Sequence, residues 1–308
     1  MLKPTRLRPG DKVAVVAPSS PFPRDEFDKG VTELQRLGFE PTFDESVFAQ
    51  HGGYLSGEGD ARARAFLDAW RDPTVRALIA VRGGYGSVHL LPYLEQHDLR
   101  DTPKAFIGYS DLTSVLTYLT IGCGIVSFHG PMLGRRLGLG IDAYDRDTFM
   151  RALTSTEPLG ELPAPGLETF CKGEAAGPLF GGTLAQLVAS LGTPYAFNPP
   201  KGHVLFLEDV AERPYRLDRM LTQLILAGIV GSASAIVLGE FVDCDEPKGE
   251  LSARAVLSDL LKHFNGPVIY GFPSGHTTRP LVTLPFGVRT RVVADRSPRV
   301  IIEEAGVE

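Results

Sequence analysis

The sequence predicts an α/β protein with a parallel sheet in its first half, and three observations carry that expectation. Short apolar runs of strand length alternate with segments of helical periodicity, the pattern of βαβ units. Those runs are continuously apolar rather than alternating, as strands covered on both faces are. The chain has 308 residues, 43% hydrophobic and 22% charged. That is an ordinary globular composition at about twice the ~150 residues of a typical domain, so two lobes are expected.

Val13 to Ala17, Leu78 to Val81, Phe106 to Gly108 and Ile125 to Phe128 read as buried strands. Phe27, Val31 and Leu34 recur at i, i+4 and i+7 and predict a helix that Gly38 stops, and Ala65, Ala69 and Trp70 mark a second one ahead of Pro73. From about Ser155 to Pro178 periodicity gives way to four prolines and four glycines. This predicts a linker over 161–178 between an N-terminal domain, 1–160, and a C-terminal domain, 179–308. In the second half a helix is expected near Leu184 to Leu191, a strand at Val204 to Leu207, an amphipathic helix with Leu217, Leu221, Leu224 and Ile225, and strands near Ile236 and Val268. Leu224 to Leu238 is too interrupted, by Gly228, Gly231, Ser232 and Ser234, for a membrane span, and reads as helix end, turn and buried strand.

A formal charge of −6 without a basic run argues against a nucleic-acid partner. Cys123, Cys171 and Cys244 are odd in number and lack CxxC spacing, which fits a reducing compartment and gives neither a disulfide framework nor a zinc site. The segment Met1 to Asp11 lacks the apolar stretch of a secretory signal, so a cytoplasmic location away from membranes is expected. The seven histidines show no HExxH or comparable spacing, and no metal is indicated.

Gly108-Tyr109-Ser110-Asp111-Leu112 joins the end of an apolar strand to a helix defined by Leu112, Val115, Leu116 and Leu119. Such an elbow can expose a serine hydroxyl, with the next amide facing a developing oxyanion; equally, Ser110 can be the helix N-cap. Leu112 stands where GxSxG would require a second glycine, so the α/β-hydrolase motif is absent. Arg82-Gly83-Gly84-Tyr85-Gly86 follows another strand at the sheet's carboxyl edge, where open α/β folds bind ligands. It can supply an oxyanion amide, cradle a phosphate or simply turn the chain, although it has neither GxGxxG spacing nor a P-loop lysine. Glu208 ends the strand Val204 to Leu207, either as the partner of an imidazole or as a solvated acid near Arg213 and Arg216. His276, in the small-residue loop Pro273-Ser274-Gly275-His276-Thr277, is of the type that serves as a general base near neutral pH.

In order and spacing, Gly108 to Thr113, Leu207-Glu208-Asp209 with Glu212, Pro214-Tyr215 and Asp218-Arg219, and Gly271 to His276 resemble the LD-carboxypeptidase family of serine peptidases. So do Ala17-Pro18-Ser19-Ser20, Arg82 to Ser87, Phe128-His129-Gly130-Pro131 and Pro285-Phe286-Gly287, so the likeness runs nearly end to end. It implies a Rossmann-like (flavodoxin-like) parallel-sheet lobe followed by a β-rich α/β swivelling lobe. It also implies Ser110 as nucleophile, Glu208 and His276 as its partners, and the amides of Asp111 and Gly84 as oxyanion donors. No cofactor is implied, and family members are often dimers. Arg82, Tyr85 and Arg216 are conceivable substrate contacts from their nearness to these motifs. Thr183 departs from the family, where asparagine is common.

The implied substrate is a murein tetrapeptide, cut between an L-centre and a terminal D-alanine. The family also includes microcin C immunity proteins, which act on acyl adenylate analogues. From other classes, a nucleotide-binding oxidoreductase lacks its glycine fingerprint after Val13 to Ala17, and a two-lobed receptor for small ligands lacks an export signal.

Overall fold

The structure is a computed structural model that describes residues 1–249 and 251–308. Its strands, numbered in chain order, form two sheets. The first holds β1 (Lys12–Val16), β2 (Glu40–Thr42), β3 (Val75–Ala80), β4 (Ala105–Gly108), β5 (Ser127–His129) and β12 (Leu284–Phe286) in the order β12-β5-β4-β3-β1-β2. Its first five strands pair in parallel, as their apolar runs require, with the helices Arg24–Arg36 and Gly59–Arg71 between them. The late strand β12 closes the edge antiparallel to β5, with Leu284 opposite His129.

The second sheet holds β6 (Gly160–Glu161), β7 (Glu168–Cys171), β8 (Gly173–Thr183), β9 (Val204–Glu208), β10 (Ala235–Leu238), β11 (Val268–Tyr270), β13 (Arg289–Ala294) and β14 (Arg299–Ile302), ordered β6-β14-β13-β8-β9-β10-β11-β7. Strands β8 to β11 pair in parallel and the outer ones antiparallel. Val204 and Phe206 face a core continuous with the first sheet, whereas Leu205 and Leu207 face the helices Leu184–Ser190, Pro214–Leu226 and Ala253–Leu261. One apolar body therefore runs from sheet to sheet.

The segment 161–178 corrects an expectation. It is not a linker but runs into β6, β7 and most of β8. Proline and glycine hid the long strand β8, and its geometry explains them. Gly181 has φ +153°, and a Cβ there would lie 1.8 Å from the Phe206 carbonyl oxygen on the neighbouring strand. The close register carries Thr183 opposite Glu208. The stretch Leu224 to Leu238 is the expected helix end and buried strand β10, with a short helix at Ile229–Ser232 in place of the expected turn. No helix among the described residues is long and apolar enough to cross a membrane.

Candidate active site

The ends of β4 and β9 come together through His276, which packs on Tyr109 just past β4 and bonds Glu208 at the end of β9. Beyond β4 the chain turns sharply at Ser110, whose φ of +67° lies in the left-handed region. A side chain other than glycine is held there at a cost of about 1–3 kcal/mol, a strain typical of exposed nucleophile elbows. The cap reading is not realised. The 3-10 turn Ser110–Leu112 and the helix Thr113–Thr117 begin after Tyr109 and Leu112, and neither start carries a side-chain cap bond. The loop Arg82–Gly86 packs onto this elbow: a Cβ built on Gly83 would lie 3.1 Å from Ser110 Oγ and 3.4 Å from the Asp111 amide nitrogen.

Glu208 is completely buried at the end of β9. Its Oε2 accepts from both the backbone N–H and Nδ1 of His276, each at 2.8 Å, and its Oε1 accepts from the hydroxyl of Thr183. Because Nδ1 donates, Nε2 of His276 is left with its lone pair, the form a general base needs. Burial opposes the charge of Glu208, yet His276, His129 and Thr183 outweigh it and hold the carboxyl at about 2. Burial likewise works against a charged His276, but the attraction of Glu208 prevails and its pKa is raised.

The loop bearing His276 is anchored from both lobes. Gly275, at φ +77°, allows close passage over Glu208, since a Cβ there would lie 2.5 Å from the carboxyl carbon. Arg136 donates from Nη2 to the carbonyls of Gly275 at 3.1 Å and Thr277 at 2.8 Å. Glu240 accepts from the Thr277 hydroxyl at 2.6 Å, the Thr278 amide at 2.9 Å and the Thr278 hydroxyl at 2.8 Å, and pairs with Arg279. Ser274 gives its proton to the Val282 carbonyl at 2.8 Å, so at 3.0 Å it accepts from Nδ1 of His129. His129 is buried, and that burial drives its pKa down to about 4, which keeps it neutral behind the site. The Tyr109 ring lies edge-on to His276 with centroids 5.2 Å apart, which sets the turn at Ser110 beside the imidazole.

Family models for the LD-carboxypeptidase N-terminal domain and C-terminal domain match residues 13–130 and 176–292. The chain is 34% identical over 308 residues to the probable murein peptide carboxypeptidase of Bacillus subtilis, covering 99% of this chain and 95% of that protein. It belongs to the LD-carboxypeptidase family. The dinucleotide-binding oxidoreductase reading falls with that assignment, and the protein is a peptidase. Among solved structures, the muramoyltetrapeptide carboxypeptidase from Oxalobacter formigenes superposes at a TM-score of 0.83 with 30% identity, over 96% of this chain and 99% of that one. The microcin C7 self-immunity protein MccF without ligand, known from Escherichia coli, superposes at 0.92 with 26% identity over both chains in full.

Within this LD-carboxypeptidase fold the remaining expected residues lie as follows. Asp111 is buried, and Gly84, at φ +102°, sits in the loop against Ser110. Arg82 is half-buried and donates to the Pro21 carbonyl at 2.9 Å. Tyr85 is 47% exposed and leans on His89, with Tyr54 6.2 Å away between ring centroids. Arg216 is exposed on the helix after Glu208 and bonds to Glu212 and Tyr215. The sequence reading missed the anchoring roles of Thr183, Glu240 and Arg136. Glu240 had the same signal as Glu208, an acid just past an apolar strand. Asp209 was also passed over. Burial and the neighbouring Glu208 push it up to about 7, while it accepts from the amides of Ala185 and Val210 at 2.8 and 2.9 Å.

Proposed function

We propose that this chain is a serine L,D-carboxypeptidase that removes the terminal D-alanine from murein tetrapeptides, at the bond following meso-diaminopimelate or lysine. The observation that carries the reading is the fully buried Glu208 joined to Nδ1 of His276 at 2.8 Å, with the His276 ring against Tyr109, the residue before the strained Ser110. On this reading Ser110 Oγ attacks the scissile carbonyl as Nε2 of His276 takes its proton. Glu208 stabilises the imidazolium, and the amides of Asp111 and Gly84 receive the oxyanion. His276 then returns the proton to the leaving D-alanine amine, and water releases the acyl group from Ser110 by the same steps in reverse. Two relatives support this substrate: the probable murein peptide carboxypeptidase of Bacillus subtilis and the muramoyltetrapeptide carboxypeptidase from Oxalobacter formigenes. Arg82, Tyr85 and Arg216 are proposed to contact the peptide. Its three free cysteines fit cytoplasmic peptidoglycan recycling, and the working form is proposed to be a homodimer.

A second reading keeps the machinery and changes the substrate to an acyl-sulfamoyl or phosphoramidate adenylate, as in microcin immunity. It is favoured by the superposition on MccF at a TM-score of 0.92, a protein also solved with aspartyl sulfamoyl adenosine. The deciding experiment gives the purified protein L-Ala-γ-D-Glu-meso-diaminopimelate-D-Ala and aspartyl sulfamoyl adenosine side by side. D-Alanine release with kcat/KM at least about 10⁴ M⁻¹s⁻¹, an ordinary enzyme value, and little cleavage of the conjugate supports the first reading. The reverse preference supports the second.

A further inference from the structure

Arg62, on the helix Gly59–Arg71, is a buried arginine whose hydrogen bonds go to backbone carbonyls and a histidine. It is 5% exposed. Nε donates to the Gly57 carbonyl at 3.0 Å, Nη1 to the Gly86 carbonyl at 2.8 Å and to the Pro18 carbonyl, and Nη2 meets Nδ1 of His89 at 3.2 Å. Those carbonyls lie on three different loops: the one after β1, the one leading into the Arg62 helix, and the glycine loop after β3. A planar fork of five N–H groups can hold three segments together, whereas a lysine ammonium offers a single point.

Removing a guanidinium from water is costly, and a nearby charge of opposite sign offsets part of that cost. The nearby acid is Asp111, whose carboxylate opposes the effect of burial on Arg62 without a direct ion pair between them; the two are linked through the glycine loop that both hold. Asp111 is 1% exposed. Its Oδ2 accepts from the Ser19 hydroxyl at 2.6 Å and the Ser87 amide at 2.8 Å, and its backbone carbonyl accepts from the Ser87 hydroxyl at 2.6 Å. Its Oδ1 has no hydrogen-bond partner among the described residues, which leaves that oxygen's charge unshared. The glycine loop is thus held at Gly86 by Arg62 and at Ser87 by Asp111. Upstream, Ser20 takes the Tyr85 amide on its hydroxyl at 3.0 Å and gives its own amide to the Gly83 carbonyl at 3.2 Å.

We propose that Arg62 and the Asp111 carboxylate form a buried charge clamp that positions the Gly84 and Asp111 amides around Ser110, making both side chains positioning groups for the oxyanion site. The inference rests on the serine-nucleophile reading above. Neither side chain needs to touch substrate, so loss of the clamp falls on transition-state stabilisation and spares ground-state binding.

A fluorophosphonate probe tests this, because Ser110 Oγ displaces fluoride from phosphorus, the serine proton leaves through His276, and the phosphoryl oxygen occupies the oxyanion position. Arg62→Lys should remain folded by circular dichroism yet be labelled about 100-fold more slowly, the scale of losing one oxyanion donor. The KM for a hydrolysed peptide should stay within about threefold of native while kcat falls, and added guanidinium should partly restore labelling of Arg62→Ala. If the Arg62 variants do not fold, Ser19→Ala decides: it removes the hydroxyl that donates to the Asp111 carboxylate at 2.6 Å, and slower labelling is expected. Folded variants labelled at the native rate overturn the clamp alone. Native protein that the probe does not label overturns the clamp together with the serine reading.

Discussion

The hydroxyl of Thr183 donates to Oε1 of Glu208, the carboxylate oxygen that His276 does not use. The Thr183 amide in turn donates to Thr113 Oγ1 at 3.1 Å, three residues beyond Ser110. A single residue thereby ties the strand that ends in Glu208 to the helix that follows Ser110.

Thr183→Val keeps the shape and removes the donor. A hydrogen bond to a charged group is worth about 1.5–3 kcal/mol, so kcat should fall by roughly 10- to 100-fold, with Thr183→Ser close to native. Steady-state kinetics on one substrate check this. Equal rates for the valine and serine variants would remove Thr183 from the site.

On the proposed mechanism His276 must be neutral to accept the serine proton, and its pKa lies above the ordinary 6.5 because of Glu208. The acid limb of a kcat/KM profile should therefore have its midpoint above 6.5, and in Glu208→Gln it should move down as kcat falls. Stability follows the same pair with opposite signs. Glu208, depressed from 4.5 to about 2, contributes stability above 4.5 that is lost as pH falls towards 2. His276 contributes below 6.5 and loses that contribution as pH rises through its raised pKa. Urea midpoints measured across pH should show both slopes, and Glu208→Gln should flatten them.

Glu240 gathers Thr277, Thr278 and Arg279 beneath the loop that carries His276. Glu240→Ala leaves these donors and a half-buried arginine without their acceptor. A loss of about 2–4 kcal/mol in unfolding free energy is expected, together with lower kcat. Denaturant titration and activity assays on the same sample measure both. Full activity would show that the loop holds its place without Glu240.

The four parallel strands read from the sequence were legible because continuous apolar runs leave few alternatives, and Glu208 and His276 because each follows such a strand. What the sequence concealed depends on neighbours distant in the chain. Strand β2 is three residues long, and β12 is antiparallel to a strand more than a hundred positions earlier. Strand β8 looks like a linker until its partner β9 is beside it. Thr183, Glu240 and Arg136 act only through groups far away in sequence.

The glycines of β8 give a direct check on that point. Gly181→Ala would drive a Cβ into the Phe206 carbonyl and should abolish folding, whereas Gly192, at φ +83° with open space around it, should tolerate alanine at a cost of about 1–2 kcal/mol. Soluble yield and melting curves distinguish the two. A well-folded Gly181→Ala protein would contradict the register of β8 against β9.

The central claim is that Ser110 becomes covalently acylated. Native protein mixed with the murein tetrapeptide, acid-quenched within one turnover and weighed intact should carry the tripeptide acyl group, with fragmentation placing it on Ser110. Ser110→Ala should show no adduct and should release D-alanine at least about 10³-fold more slowly. D-Alanine release at the native rate from Ser110→Ala, or an adduct on another residue, would contradict the account.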